Sequence, residues 1–157
     1  MKVCLDARLS PEYLKQADEI KVQQRDTGII MNLIEKYPKA TIVLQMPEKT
    51  EESDWKDIRD WHILSRHQFI LCLGHIDDIQ KAVELNIPCF YGYSVETFAS
   101  LRAFMRLGVS YVRLGPPLVF QLDKVMSVLG ESGPKIRGIA NIAYMDRLPH
   151  EDGISGA

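Results

Sequence analysis

Seven short runs of the chain show strand-like patterns of apolar and polar residues, and helical patterns separate them. In the first run Val3 and Leu5 share one face, whereas Cys4, Asp6 and Arg8 share the other. The seven runs are residues 2–8, 19–25, 41–46, 68–73, 88–93, 110–114 and 135–142. Strands that alternate with helices at a spacing of roughly 20 to 25 residues are typical of parallel βαβ units.

The segments between these runs carry apolar residues at helical spacing. The predicted helices are a short turn after Ser10 and residues 27–37, 55–66, 77–85, 94–107 and 118–129. In the fifth helix Leu101 and Phe104 lie on the apolar stripe, and Ser94 is the expected N-cap. Gly108 is the expected end, because glycine adopts a positive φ without steric cost. Residues 143–157 are rich in turn-forming residues and predict a loop tail.

The contrast between the two strand faces indicates the fold. Open sheets covered by helices on both sides have two apolar strand faces, whereas here one face is apolar and the other is polar. No G-x-G-x-x-G loop follows a strand, so a dinucleotide-binding sheet has no support. The predicted fold is α/β, a TIM-barrel-like (β/α) repeat that forms a single domain over residues 1–157.

The length of the chain predicts an unusual barrel. Complete eight-stranded barrels need about 200 to 250 residues, and this chain has 157. We therefore expect an incomplete or open barrel of about seven parallel strands. The alternatives are that a partner subunit closes the barrel, or that the chain is shorter than the natural protein.

The polar strand face is the predicted binding site. Its cationic residues outnumber its carboxylates, and burial of like charges is costly unless other groups compensate them. Guanidinium groups recognise phosphate and carboxylate in bidentate fashion, and β/α barrels bind ligands at the C-terminal ends of their strands. The expected ligand-binding residues are Arg8, Lys21, Gln23, Arg25, Gln45, Tyr93, Arg113 and Asn141.

Asp6 is the candidate catalytic residue, as a general base or an orienting carboxylate. It lies near the C-terminal end of the first predicted strand, where barrel active sites are found. The structural alternative is that Asp6 pairs with Arg8, Lys21 or Arg25. An internal salt-bridge network would likewise explain the whole polar face without a ligand.

Composition narrows the function classes. The net charge of −2 gives no support for nucleic-acid binding. Nucleic acid stays possible only through a local basic patch. The three cysteines, Cys4, Cys72 and Cys89, form no C-x-x-C pair, so buried free thiols in a cytoplasmic protein are expected. No cofactor or metal is expected, since His75 has no second ligand at metal-binding spacing. The apolar runs are too short to span a membrane.

Two stretches resemble known barrel proteins. The unit LRAFMRLGVSYVRLG, residues 101–115, resembles the helix-Gly-strand segment of the collagenase-like peptidase family, whose barrels include proteins linked to RNA hydroxylation. The stretches VCLDARLSPEYLKQADEIKVQQRD and NIAYMDRLPHEDGISG resemble a group of uncharacterised β/α-barrel proteins of phages and prophages. The resemblance implies a barrel with a polar interior and no specific activity. Iron–sulfur members of the peptidase-like family use clustered cysteines, which this sequence lacks.

Three functions follow as expectations. The first is binding of a small anionic or phosphate-bearing ligand at the C-terminal rim of the strands. The alternatives are a non-catalytic interaction or scaffold protein, in the host cytoplasm if viral, and an enzyme of the peptidase-like family acting on RNA or peptide. An incomplete barrel leaves sheet edges that must be covered, so a homo-oligomer, most simply a dimer, is expected for each of them.

Overall fold

The computed structural model describes residues 2–139 and 154–156. Strands and helices alternate along the chain. The strands are β1 (Val3–Asp6), β2 (Glu19–Gln23), β3 (Thr41–Met46), β4 (Phe69–Leu73), β5 (Cys89–Tyr91), β6 (Tyr111–Leu114), β7 (Lys135–Ile139) and β8 (Ile154–Gly156). The α-helices are α1 (Pro11–Leu14), α2 (Ile30–Lys36), α3 (Glu52–Leu64), α4 (Ile76–Glu84), α5 (Phe98–Leu107) and α6 (Leu122–Leu129). Short 3-10 helices, Gln24–Ile29 and Leu118–Phe120, precede α2 and α6.

Strands β1 to β5 form a parallel sheet in which the strands follow one another in chain order. Strands β6 and β7 form a second parallel pair. Strand β6 also lies against β5, where the Ser110 main-chain N–H donates to the Cys89 carbonyl at 3.0 Å. The prediction of parallel strands that alternate with helices is confirmed.

The two faces of the strands differ in what they contact. One face of the strands packs with every described α-helix in a single apolar cluster, in which Ile20, Leu44 and Leu71 are fully buried. Burial of each such side chain stabilises the fold by about 1.5–3 kcal/mol. The other face holds a small cluster without helical residues, formed by Val43, Ile70, Cys72 and Phe90 with Tyr111 packed against it. Of the residues predicted to share the polar strand face, Lys21, Gln45 and Arg113 lie on this second side.

Helix α5 begins later than predicted. Its N-cap is Thr97 instead of Ser94, and the Thr97 hydroxyl accepts a hydrogen bond from the Ser100 N–H at 3.1 Å. The helix does not begin at Ser94 because the main chain of Val95 bonds to β6 instead. The Val95 N–H donates to the Arg113 carbonyl at 2.7 Å. The other end agrees with the prediction, because Gly108 caps α5 with φ of 91°.

Strand β8 lies within the segment 143–157 that was expected to be a loop. It pairs antiparallel with β1, with Val3 opposite Gly156 and Leu5 opposite Ile154. An edge strand such as β1 presents unpaired main-chain groups, and even a three-residue partner satisfies some of them. The loop prediction therefore does not hold for these three residues.

No helix in the described parts of the chain is long and apolar enough to cross a membrane.

Candidate functional site

Five polar side chains gather at the C-terminal ends of β1, β2 and β3, on the face away from the helices. We call these side chains the polar rim: Asp6, Arg8, Lys21, Gln23 and Gln45. The strand register brings them together, because Asp6 lies opposite Lys21 and Gln23 lies opposite Gln45. Parallel strands end at the same edge of a sheet, so residues distant in sequence meet there.

Asp6 and Arg8 form a bidentate ion pair. The Arg8 Nε donates to Asp6 Oδ1 at 2.9 Å, and the Arg8 Nη2 donates to Asp6 Oδ2 at 2.7 Å. The Arg8 main-chain N–H also donates to Asp6 Oδ1 at 2.9 Å. Asp6 thereby fixes both the guanidinium and the turn that follows β1. The Asp6 side chain is buried, whereas 37% of the Arg8 side chain is exposed, so the pair bridges the interior and the solvent.

The ionisation of Asp6 reflects this pairing. Burial alone would raise the pKa of Asp6, but the hydrogen bonds and charge of Arg8, together with the charge of Lys21, outweigh it and lower the pKa. Asp6 therefore stays ionised at neutral pH. A general base that acts near neutral pH needs a raised pKa, so this environment favours a positioning role for Asp6 over a catalytic one.

Lys21 is the most deeply buried cation of the polar rim, with no exposed surface. Its main-chain carbonyl accepts the Ala7 N–H at 2.9 Å, which fixes the start of the turn after β1. A buried ammonium is costly without compensating negative charge. The Asp6 carboxylate supplies part of that compensation.

Gln23 and Gln45 form the outer row of the polar rim. The Gln23 side-chain amide donates to Gln45 Oε1. Gln45 is 2% exposed, and its Nε2 has no hydrogen-bond acceptor among the described residues. Buried amide nitrogens are normally paired, so this donor points to an acceptor that the described residues do not supply.

Arg113 and Tyr93 have different surroundings. Arg113 is 6% exposed and lies on β6, on the same face as Tyr111 of the small apolar cluster. The Tyr93 ring contacts the Tyr91 ring at a centroid distance of 5.2 Å, and Tyr91 in turn stacks on Phe104 of α5 at 5.1 Å. Arg113 therefore belongs with the polar strand face, and the contacts of Tyr93 place its ring toward the helix-packed side.

Arg25, which was predicted to bind the ligand, does not join the polar rim. Arg25 lies beyond β2, in the 3-10 helix, where its side chain is 65% exposed and its Nε is 3.7 Å from an Asp26 carboxylate oxygen. The sequence alternation continued past Gln23, but the backbone turns there and takes Arg25 off the strand face. Asn141 lies outside the described residues.

Sequence reasoning missed the partner of Arg137. Arg137 of β7 donates two hydrogen bonds to the Glu19 carboxylate of β2, one of them at 3.0 Å from Nη1 to Oε2. Its guanidinium also lies 5.0 Å from the Phe90 ring centroid and 5.5 Å from that of Tyr111. The sequence signal for this ion pair is a carboxylate at the first residue of a predicted strand. Glu19 was not singled out, because the pairing is non-local.

The cysteines are not candidate nucleophiles. Cys4, Cys72 and Cys89 are buried, as predicted. Burial raises the pKa of the Cys89 thiol to about 12, which keeps it protonated. Among the described residues, no group of three or more His, Cys, Asp or Glu side chains is arranged to hold a metal ion.

Comparison of the chain with protein-family models, with curated proteins and with solved structures finds no significant match.

Proposed function

We propose that this protein binds a small anion, bearing phosphate or carboxylate groups, at the polar rim. Lys21 of β2 and Arg8, in the turn after β1, supply cationic donors, and Arg113 of β6 supplies a third. Parallel α/β sheets bind ligands beyond the carboxyl ends of their strands. Guanidinium groups match the geometry of phosphate and carboxylate oxygens.

The observation that carries the proposal is a set of hydrogen-bond donors around Asp6, whose carboxylate already accepts hydrogen bonds. Arg8 donates hydrogen bonds to Asp6, and the charge of Lys21 also acts on that carboxylate, so two cationic groups meet at the rim. The Gln45 amide adds a buried donor that lacks an acceptor within the described chain. An anion at the rim would accept from that donor, and leaving such a group unsatisfied costs about 1–3 kcal/mol.

In this proposal Asp6 positions Arg8 and takes no part in proton transfer. Its lowered pKa makes it a weak base, and its two oxygens already accept from the guanidinium. Positioning of a guanidinium by a carboxylate restricts the side chain before the ligand arrives, which lowers the entropic cost of binding. The proposal is a binding function and assigns no reaction.

The proposal includes a barrel-like arrangement of β1 to β7. Strands β1 to β5 follow one another in chain order, β6 pairs with β7, and β5 lies against β6. The Glu19–Arg137 pair links β2 to β7, which supports an enclosed space between the two sheets. In an open (β/α) barrel of seven parallel strands, the polar rim would surround the mouth.

Self-association in the cytoplasm is part of the same proposal. An open barrel leaves strand edges that need cover, and buried free thiols suit a reducing compartment. Phe120, which is 81% exposed just before α6, and Met126, which is 56% exposed within α6, provide apolar surface. Light scattering at micromolar concentration is expected to give the mass of a dimer, and a monomer would contradict this part.

Thermal unfolding tests the ligand class. Pyrophosphate, inorganic phosphate, succinate and chloride are compared at matched ionic strength, so that general screening is equal. We expect a phosphate or carboxylate anion near saturation to raise Tm by about 5 °C or more, and chloride to have no effect. Arg113→Gln should reduce the shift. Arg59→Gln, an exposed change on α3, should leave it intact.

A salt-bridge network without a ligand is the second candidate. The Asp6–Arg8 and Glu19–Arg137 pairs favour it, because each satisfies charges within the described chain. Equal Tm values with all four anions would support this network over anion binding.

A further inference from the structure

Two histidine rings meet at the end of α3, far from the polar rim in sequence. His62 lies in the last turn of α3 and is 8% exposed, whereas His67 is exposed in the turn that follows. The His62 Nε2 and His67 Nδ1 are 3.4 Å apart. The rings are nearly perpendicular, at 73°, with centroids 4.6 Å apart.

The backbone of this turn holds His67 in place. Arg66 and His67 adopt left-handed φ values of 56° and 66°. The His67 N–H donates to the His62 carbonyl at 2.9 Å, and the Ser65 hydroxyl donates to the same carbonyl at 3.0 Å. Two successive left-handed residues other than glycine are unfavourable, so the fold maintains this turn against a local cost. The consequence is a fixed separation of the two imidazoles.

We propose that His62 and His67 bind a divalent transition-metal ion of the Zn²⁺ class. Zinc lies about 2.0–2.1 Å from histidine nitrogens. Two nitrogens 3.4 Å apart then subtend about 110° at the metal, which is the tetrahedral angle that Zn²⁺ prefers. The spacing of the two nitrogens therefore matches that of two histidine ligands on one metal ion.

The proposed site has two protein ligands and an open side. No third His, Cys, Asp or Glu joins the pair within the described residues, so water fills the remaining positions. The exposed His67 gives the ion a path from solvent. The C-terminal end of a helix carries partial negative charge, and α3 ends at Leu64 beside the pair, which favours a cation there. An exchangeable ion is expected, with positions free for an outside ligand.

Proton balance at the pair is simple. In the metal-free protein one imidazole nitrogen donates a hydrogen bond to the other. Metal binding needs both facing lone pairs, so the donor ring moves its proton to its other nitrogen and both rings stay neutral.

Isothermal titration of the full chain with ZnCl₂ tests the proposal. We expect one ion per chain for the unchanged protein. His67→Gln, an exposed change that leaves the core intact, should weaken binding by about tenfold or more, since even changes outside the ligand shell cost about 10–100-fold. His75→Gln is the matched control, because His75 is an exposed histidine at the N-cap of α4, and it should bind as the unchanged protein does.

Imidazole resonances followed by NMR identify the ligands directly. Substoichiometric Ni²⁺ should broaden the signals of His62 and His67 and leave that of His75 sharp, and Mg²⁺ should affect none of them. Absence of Zn²⁺ binding at millimolar concentration would overturn the proposal. Equal affinity in His67→Gln and the unchanged protein would overturn it as well, whatever the anion experiments on the polar rim show.

Discussion

Arg137 and Glu19, 118 residues apart in sequence, form a buried bidentate ion pair. The Arg137 side chain is 9% exposed and that of Glu19 is 3% exposed. The pair joins β7 of the second sheet to β2 of the first, and the aromatic rings of Phe90 and Tyr111 flank the guanidinium. Because the Arg137 guanidinium and the Glu19 carboxylate bond to each other, the pair fixes how the two sheets approach each other.

Removal of one partner should destabilise the protein strongly. Glu19→Gln leaves the Arg137 charge buried without its carboxylate, and such changes cost about 3–5 kcal/mol. Urea unfolding followed by circular dichroism measures the loss. Glu52→Gln is the control: it removes an exposed partner of Lys81 and should cost less than about 1 kcal/mol. Equal losses of unfolding free energy in the two variants would show that the buried pair stabilises the fold no more than the exposed pair does.

Gly108 should not tolerate a side chain. Its φ of 91° is unfavourable for other residues, and a Cβ there would lie 3.2 Å from Val83 Cγ1 of α4. Gly108→Ala is expected to lower the free energy of unfolding by about 1–2 kcal/mol. Gly28→Ala is the matched change, because its Cβ would meet nothing within 4 Å and its φ is not in the left-handed region. If Gly108→Ala unfolds with the same free energy as Gly28→Ala or a higher one, the account is contradicted.

Asp6 should make stability depend on pH in the acidic range. Its pKa in the folded protein is lowered, because the stabilising effects of Arg8 and Lys21 outweigh burial. A lowered folded pKa means that the stabilisation is complete above the unfolded value of about 4 and is lost as pH falls through the folded pKa. The difference in unfolding free energy between the unchanged protein and Asp6→Asn should therefore be large at pH 7 and shrink below about pH 4. A difference that is constant over this range would contradict the lowered pKa.

Arg66→Gly should stabilise the turn after α3. Arg66 has φ of 56°, which glycine adopts at no steric cost. We expect a gain of about 1 kcal/mol in unfolding free energy, measured by urea unfolding. Arg59→Gly, an exposed change within α3 itself, should instead cost about 1 kcal/mol, because glycine is a poor helix former. A loss of stability in Arg66→Gly would show that its side chain makes contacts that outweigh the strain.

The sequence predicted what depends on local alternation. The apolar face of Ile20 and Val22 and the polar face of Lys21 follow from a period of two, and burial on opposite sides of β2 agrees with it. In the helix predicted over residues 55–66, Trp55 and Ile58 likewise pack in the core, whereas Leu64, at the same helical spacing, is 52% exposed. These elements needed only the pattern of neighbouring residues.

What the sequence could not predict depends on distant partners or on local backbone competition. The Glu19 partner of Arg137 comes from another strand, and no local pattern encodes it. Ser94 has the composition of an N-cap, but the main chain of Val95 pairs with β6, so the helix begins after Thr97. Within the polar rim, the Asp6–Arg8 contact is local and was one of the alternatives considered.

Lys21 is the residue on which the anion-binding account depends most, because it is the fully buried cation of the polar rim. The most direct measurement is isothermal titration of pyrophosphate into the unchanged protein and into Lys21→Met, which keeps the length of the side chain and removes its charge. Circular dichroism confirms that the variant is folded, and Arg59→Gln serves as the charge-matched control. The account predicts binding by the unchanged protein and by Arg59→Gln, with at least about a tenfold loss, or 1.4 kcal/mol, in Lys21→Met. Equal affinity of folded Lys21→Met and the unchanged protein would contradict anion binding at the polar rim.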